Sequence, residues 1–282
     1  MDDAFAPLFA GERFSPARPH AAMPADEQRL WDYFSRQLGW GDRLHARITF
    51  DFLLQVRDFA RGKPVLDAGA GHQRYRPFFD DAAVYLTQEH PGGIEFKRMQ
   101  GISYDLVAPI DERIPLKSGS LAAIVSTSVL EHVRWPERFL AEAHRVLHPG
   151  GRLYIHVPFA HDEHEVPYDY QRPTRYGLAA WLQTAGFAHA SVLPSSNSTY
   201  GAGAYLLTAV QKEMLARGQQ QRLADIAPVL KYCLDLANGA TDDAVDTATA
   251  MPVGWVAVAQ KAGTLGEFPA WSREQWLQQI RE

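Results

Sequence analysis

The chain of 282 residues holds a single cysteine, Cys233. One thiol forms no intramolecular disulfide and builds no thiolate metal centre, so the composition suits a reducing compartment. Nor is there an excess of positive charge: 28 Lys and Arg against 33 Asp and Glu leave a net charge of −5. That balance offers no general attraction to phosphate backbones or anionic lipid. A long apolar run is also lacking, and the start, Met1-Asp2-Asp3 followed by Pro7 and Gly11, reads as neither a secretory signal nor a membrane span. A cytoplasmic protein is therefore expected, with neither membrane nor nucleic acid as partner. Two common catalytic signatures are missing as well, the G-x-x-x-x-G-K-[ST] phosphate loop and the G-x-S-x-G nucleophile elbow.

What is present is an ordinary globular balance, 46% hydrophobic and 22% charged, with room for one large or two small domains. Its most informative stretch is Val65-Leu66-Asp67-Ala68-Gly69-Ala70-Gly71, an apolar run ending in a carboxylate and two glycines one residue apart. A buried strand that stops in such a turn brings bare backbone, negative charge and a helix N-terminus to one sheet edge, where nucleoside ligands bind. A dinucleotide fingerprint needs a third glycine three positions later, and that position is Arg74. The pattern favours a nucleoside without a pyrophosphate, and S-adenosyl-L-methionine meets that description. Glu89, 22 residues after Asp67, follows the next predicted strand, where a carboxylate can accept hydrogen bonds from both hydroxyls of a ribose.

The periodicity divides the chain into three parts. Residues 1–61 comprise an irregular, proline-containing arm over 1–23 and two cap helices, at 24–40 and 42–61. Residues 62–263 alternate apolar runs with helical stretches, which implies an α/β fold with a parallel sheet. Strands are predicted at 64–68, 83–87, 103–107, 122–126, 153–158, 189–193 and 254–260. Helices are predicted at 136–147, opened by Pro136 and stopped by Gly150-Gly151, and at 179–186. A loop-and-helix insertion, 194–253, carries helices at 205–217 and 221–237 and a small, polar connection at 239–250. In the tail, 264–282, Trp271 and Trp276 mark either an intramolecular dock or a homo-oligomer contact.

Further motifs follow in order: Ile114-Pro115-Leu116-Lys117-Ser118-Gly119-Ser120, then Ser126-Thr127-Ser128-Val129-Leu130-Glu131-His132-Val133, then Glu142-Ala143-His144-Arg145-Val146-Leu147-His148-Pro149-Gly150-Gly151-Arg152-Leu153. With the glycine turn, this series resembles the class I S-adenosylmethionine-dependent methyltransferases, in particular the type 11 group that acts on small molecules and glycans, over residues 62–190. The resemblance implies a Rossmann-like sheet of seven strands, the last two an antiparallel hairpin. It also implies that Asp67, Ala68, Gly69 and Gly71 surround the methionine part of the cofactor and that Glu89 holds its ribose. The family's adenine-contacting aspartate falls at Ile110, a departure that leaves neighbouring Asp111 as the expected substitute. Ser128 is placed beside the cofactor and His132 toward the acceptor pocket.

A second family-like stretch, His164-Glu165-Val166-Pro167-Tyr168-Asp169-Tyr170-Gln171-Arg172-Pro173-Thr174, is similar to an H-x-x-P-x-D-x-x-R-x-T loop of a subset with polar, often sugar-linked substrates. Removing a proton from an alcohol acceptor calls for a base near neutral pKa. His164 and then His132 are the catalytic candidates, with His156 and His161 nearby; a structural role is the competing reading, His156 packed in the sheet and His164 anchoring its loop through Asp169 or Arg172. The acidic and histidine-rich run 161–169 is no zinc-protease helix, because Pro167 interrupts it and the second histidine is missing, so no metal site is expected, with metal-assisted transfer to a catechol-like diol as the minor alternative. The expected activity is methyl transfer to an oxygen of a polar small molecule or sugar. The alternatives are transfer to a small-molecule nitrogen, or a cofactor-binding interaction protein without catalysis. A nucleic-acid methyltransferase lacks its Asn/Asp-Pro-Pro-Tyr/Phe base pocket here. The insertion and the N-terminal helices are expected to form the acceptor lid, with Tyr200, Tyr205 and Tyr232 as its lining.

Overall fold

The computed structural model describes residues 23–38, 46–196, 199–239 and 251–281. The predicted arm at 1–23, apart from Met23, and nearly all of the connection at 239–250 lie outside those residues.

Strands β1 (Pro64–Ala68), β2 (Val84–Glu89), β3 (Leu106–Val107), β4 (Leu121–Thr127), β5 (Leu147–Pro158), β6 (His189–Pro194) and β7 (Gly254–Gln260) form one sheet in the order β3-β2-β1-β4-β5-β7-β6. β1 lies between β2 and β4, with Leu66 opposite both Leu86 and Ile124. All three strands are buried along their whole length, which explains why they read as continuous apolar runs rather than alternating ones. β7 runs antiparallel to both β5 and β6, the predicted hairpin.

Two cores sandwich the sheet. On one face, α4 (Pro136–Val146), α5 (Arg175–Thr184) and α8 (Arg273–Ile280) bury Phe139, Leu140, Leu178, Leu182 and Trp276. On the other, α1 (Ala25–Ser35) and α2 (Ala46–Ala60) pack an aromatic layer of Phe34, Phe50 and Phe52 against Phe78, Tyr85 and Tyr154. The buried guanidinium of Arg57 ties α2 to α1 through Asp26, at 3.4 Å, and Glu27, at 3.5 Å.

Several boundaries differ from the sequence-based ones for physical reasons. Gly150 and Gly151 do not stop α4, which ends at Val146; they lie within β5, which starts at Leu147 rather than 153. Their lack of a side chain serves a backbone crossing instead: a Cβ on Gly150 would overlap the backbone at Leu265, and Gly150 N donates to Lys261 O at 3.1 Å. α5 starts at Arg175, capped by Thr174, whose hydroxyl accepts from Gly177 N at 3.1 Å. α6 (Thr199–Ala216) begins six residues before the predicted 205, and α7 is Leu223–Gly239. The short α3 (Pro91–Phe96), opened by Pro91 and capped by His90, was not predicted.

In the tail, α8 begins with a reciprocal Ser272–Gln275 capping box and buries Trp276 to 2% exposure, with Trp271 packed edge-on against it. Lys117 N donates to Ile280 O at 2.7 Å and Arg281 Nη2 to Asp105 O at 2.6 Å. Trp276 thus docks within its own chain. Among the described residues, no helix is long and apolar enough to cross a membrane.

Candidate active site

β1 ends in the turn that the glycines shape. Gly69 sits at φ +84°, and a Cβ there would overlap both methyl groups of Val129; Gly71 sits at φ +50° with no atom within 4 Å of the place its Cβ would take. The turn is fixed to β2 through Gly69 N and Ala70 N, which donate to Gln88 O at 2.9 and 3.0 Å. Glu89 ends β2 and uses both carboxylate oxygens: Oε2 accepts from Gly71 N at 2.7 Å and Oε1 from His90 N at 2.9 Å. Tyr104 OH closes the turn by donating to Gly71 O at 2.7 Å.

A cavity of about 660 Å³ opens over this turn, walled by Gly69, Gly71, Glu89, Asp111 and Ser128 among others. Ile110, the residue in the family's adenine-contact position, shares that wall with Asp111. Asp67 and Ala68, expected beside the cofactor, lie beneath the turn and are not among the residues that line the cavity. The reason is burial: β1 is covered throughout, and the Asp67 carboxylate, 1% exposed, accepts from Tyr85 OH at 2.5 Å beneath the turn. Burial pushes the Asp67 carboxyl up to about 7, against the lowering effect of the Tyr85 hydrogen bond; the nearby Glu89 charge pushes the same way as burial.

The same strand-and-turn series is matched by the family described as a methyltransferase domain, Methyltransf_11, over residues 66–155. The match spans the glycine turn, Glu89 and the β4 end, from β1 into β5. The chain carries an S-adenosylmethionine-dependent methyltransferase domain. Among curated proteins, the methyltransferase is 26% identical over 216 residues to one from Mycolicibacterium smegmatis named "probable S-adenosylmethionine-dependent methyltransferase", covering 66% of this chain and 79% of that one. Among solved structures it is similar to an S-adenosylmethionine-dependent methyltransferase from Thermotoga maritima, at 16% identity and TM-score 0.48 over 85% of this chain and all of that one. It is also similar to the [4+2]-cyclase SpnF, at 17% identity and TM-score 0.46 over 88% of this chain and all of that one.

The residues around the turn of the methyltransferase fit its cofactor. Open space at Gly71 admits a ligand against bare backbone, and Glu89 keeps acceptor capacity on each oxygen after its backbone contact. At the end of β4, Ser128 sits at φ +53°; its N donates to His156 O at 2.9 Å, and its Oγ lies 3.3 Å from His156 Nδ1. His156 itself is 3% exposed within β5, as its structural reading requires.

The remaining cavity wall is built by two loops that meet across the strand ends. The turn after β4 presents Glu131 and His132, and the loop after β5 presents His161, His164 and Glu165. They are joined by backbone, since Tyr170 N and Gln171 N both donate to Glu131 O, at 2.7 and 3.1 Å. His132 Nδ1 lies 2.9 Å from Tyr168 O and His164 Nδ1 lies 3.1 Å from Asp162 O. Each Nε2 lies 3.8 Å from the same oxygen, Glu131 Oε1, beyond hydrogen-bond reach. The Glu131 carboxylate chiefly raises the His164 pKa above its ordinary value, against the lowering effect of burial. His164 also anchors its loop: its N–H donates to Asp169 Oδ2 at 3.0 Å, and Arg172 holds the same carboxylate through both nitrogens, at 2.6 and 2.7 Å. Burial works to raise the Asp169 pKa, but the Arg172 guanidinium and the His164 N–H outweigh it and hold the carboxyl low.

Of the sequence candidates, Gly69, Gly71, Glu89, Asp111, Ser128, His132 and His164 share the cavity wall. Tyr205 joins them, its ring 4.8 Å from that of His161. Tyr200 and Tyr232 do not; they are 48% and 64% exposed on the outer faces of α6 and α7. The residue that sequence reasoning passed over is Glu131, 0% exposed and at the centre of the histidines. Its signal was adjacency, a carboxylate directly before a candidate histidine at a strand end.

Proposed function

We propose that the methyltransferase methylates an oxygen of a polar small molecule or sugar, and that the acceptor oxygen lies beside Glu131, His132 and His164. The observation that supports this reading is the convergence of two imidazoles and a buried carboxylate on the cavity that the glycine turn also lines. An alcohol holds its proton tightly and requires a group to take or displace it, whereas a neutral amine does not. Bound S-adenosyl-L-methionine supplies an electrophilic methyl group. The chain's own part is to position and to exclude water: Gly69 and Gly71 give the donor bare backbone, Glu89 accepts from the ribose hydroxyls, and Asp111 and Ser128 border it. His164, supported by Glu131 and with His132 alongside, receives the acceptor's proton.

On this reading residues 62–263 are the transfer unit, and the 1–61 and 194–253 segments shape the acceptor side. Phe34 and Leu38 close the cavity from the N-terminal helices, and Tyr205 and Val253 from the insertion. α6 is held over the histidine loop by Lys212 Nζ to Asp162 Oδ2, 2.6 Å. Additions of this kind are where acceptor choice resides in such folds. The test is incubation of the purified protein with methyl-labelled S-adenosyl-L-methionine and separate panels of sugars, phenols and amines. Label in hydroxyl acceptors supports the reading; label confined to amines, or cofactor binding with no transfer to any panel, overturns it.

A further inference from the structure

Glu131 poses a physical problem that its neighbours in the structure do not solve. Its carboxylate is fully buried, and neither oxygen has a hydrogen-bond donor. A buried carboxylate is costly unless a positive group shares the space, and an unsatisfied one in a native fold calls for an explanation such as an ion. The Nε2 atoms of His132 and His164 each lie 3.8 Å from Oε1, and the His132 Nε2 lies 3.8 Å from Glu165 Oε2 as well. Both rings have the other nitrogen engaged, Nδ1 of His132 at the Tyr168 carbonyl and Nδ1 of His164 between the Asp162 carbonyl, at 3.1 Å, and Arg172 Nη2, at 3.2 Å. A carbonyl only accepts, so the His132 Nδ1 carries the hydrogen and its Nε2 presents a lone pair to the carboxylate; at His164 the Asp162 carbonyl favours the same tautomer, while Arg172 Nη2, 3.2 Å from the same Nδ1, favours the opposite one. Imidazoles that ligate a metal are oriented in this way, by donating the far N–H to a carbonyl or carboxylate.

Three side chains that can each offer a lone pair to an ion therefore converge on one point of the cavity wall. Among the described residues, this is the only group of three such side chains whose ligand atoms all lie within 4.8 Å of one another. Bonds of about 2.0–2.2 Å let one ion touch both members of each 3.8 Å pair, and a small rotation of one imidazole brings the third into reach. We propose that Glu131, His132 and His164 hold a divalent transition-metal ion, with its remaining coordination positions facing the cavity. A set of two imidazoles and one carboxylate suits Zn²⁺ or a first-row neighbour rather than Mg²⁺ or Ca²⁺, which prefer oxygen ligands. The expectation of no metal site considered residues 161–169 alone; the fold replaces most of that run with two residues from a different loop.

The site narrows the acceptor, a step that rests on the proposed oxygen methylation. An open ion in the cavity binds acceptors with two adjacent oxygens, such as neighbouring sugar hydroxyls or a phenolic diol. The bound hydroxyl loses its proton to solvent, its oxygen bonds to the methyl carbon, and the carbon–sulfur bond breaks with its electron pair left on sulfur. With the ion in place, His132 and His164 are ligands, and the ion takes over the task of weakening the O–H bond.

The test is titration of untagged, chelator-stripped full-length protein with Zn²⁺ by calorimetry and with Co²⁺ by visible absorption, without cofactor. One equivalent should bind, and Glu131→Gln, His132→Gln and His164→Gln should each weaken it at least about tenfold, while thermal melts and S-adenosyl-L-methionine binding show that each variant remains folded. Failure of both ions to bind, or equal binding by folded variants, overturns the proposal. If any one variant unfolds, the other two decide. Transfer to hydroxyls that persists in chelator, with no ion bound, removes the site and leaves the proposed function standing. An ion bound through these residues, with no transfer to any hydroxyl, does the reverse.

Discussion

The two walls of the cavity are built in opposite ways. The wall at the glycine turn is local and made mostly of backbone: Gly69 and Ala70 donate to the Gln88 carbonyl of the adjacent parallel strand, and Gly71 N donates to the Glu89 carboxylate at that strand's end. The histidine wall is made of side chains on two loops, Glu131 and His132 on one and His164 on the other, joined by Tyr170 and Gln171 reaching back to the Glu131 carbonyl. The first arrangement depends on backbone conformation and on a single side chain, the Glu89 carboxylate. The second tolerates neither the loss of a side chain nor a shift of the loop that carries it.

The sharpest way to separate the walls is His164→Ala, which should lower kcat by about 10²–10⁴-fold while leaving cofactor affinity unchanged, as steady-state rates and calorimetry will show. Near-normal turnover at saturating acceptor would reduce the histidine wall to a structural feature. Gly69→Ala should do the opposite and act on folding and cofactor together. Its φ of +84° and the overlap with Val129 predict a stability loss of roughly 1–3 kcal/mol and weaker cofactor binding. Adding Val129→Ala should recover the steric share only, because the backbone strain remains; full recovery would show that φ does not matter there.

Glu89→Gln should weaken cofactor binding by about tenfold, near 1.4 kcal/mol. An amide has one acceptor atom for the two backbone donors, Gly71 N and His90 N, that the carboxylate satisfies now. An unchanged dissociation constant would detach Glu89 from the ribose. A pH effect at Asp67 falls on stability and not on cofactor affinity. Its folded-state carboxyl keeps its proton to about 7, whereas an unperturbed one releases it near 3.8. The stability this contributes is fully present below about pH 4 and is lost as pH rises through 7. The melting temperature of Asp67→Asn relative to the parent should therefore climb from pH 4 to pH 7 and then level, and a flat difference would refute the shift. Lys212→Ala should cost least, under about 1 kcal/mol, since its partner Asp162 sits in a solvent-accessible pair. Its effect should fall on KM for the acceptor, not on cofactor affinity.

Legibility in the sequence follows the same division. β1 and β7 have the bounds their apolar runs predicted, and α4 ends one residue early. Gly69, Gly71 and Glu89 were recognisable because a turn needing positive φ and a carboxylate one strand later are local facts. Gly150-Gly151 misled, because a glycine that ends a helix and a glycine that lets backbones cross have the same letter. Asp67 was placed in the right motif, but its side chain turns down to Tyr85, a residue from the neighbouring strand that no local pattern links to it.

By itself the sequence determined the strand and helix periods, the glycine turn and its cofactor class, since each depends on residues within one or two elements. Only the tertiary structure decided which way Asp67 points, that Trp276 is buried in its own chain, and that Glu131 and His132 meet His164. Those outcomes depend on packing between segments tens to hundreds of residues apart. A cluster of side chains at fixed distances has no counterpart in a linear pattern until the loops are docked.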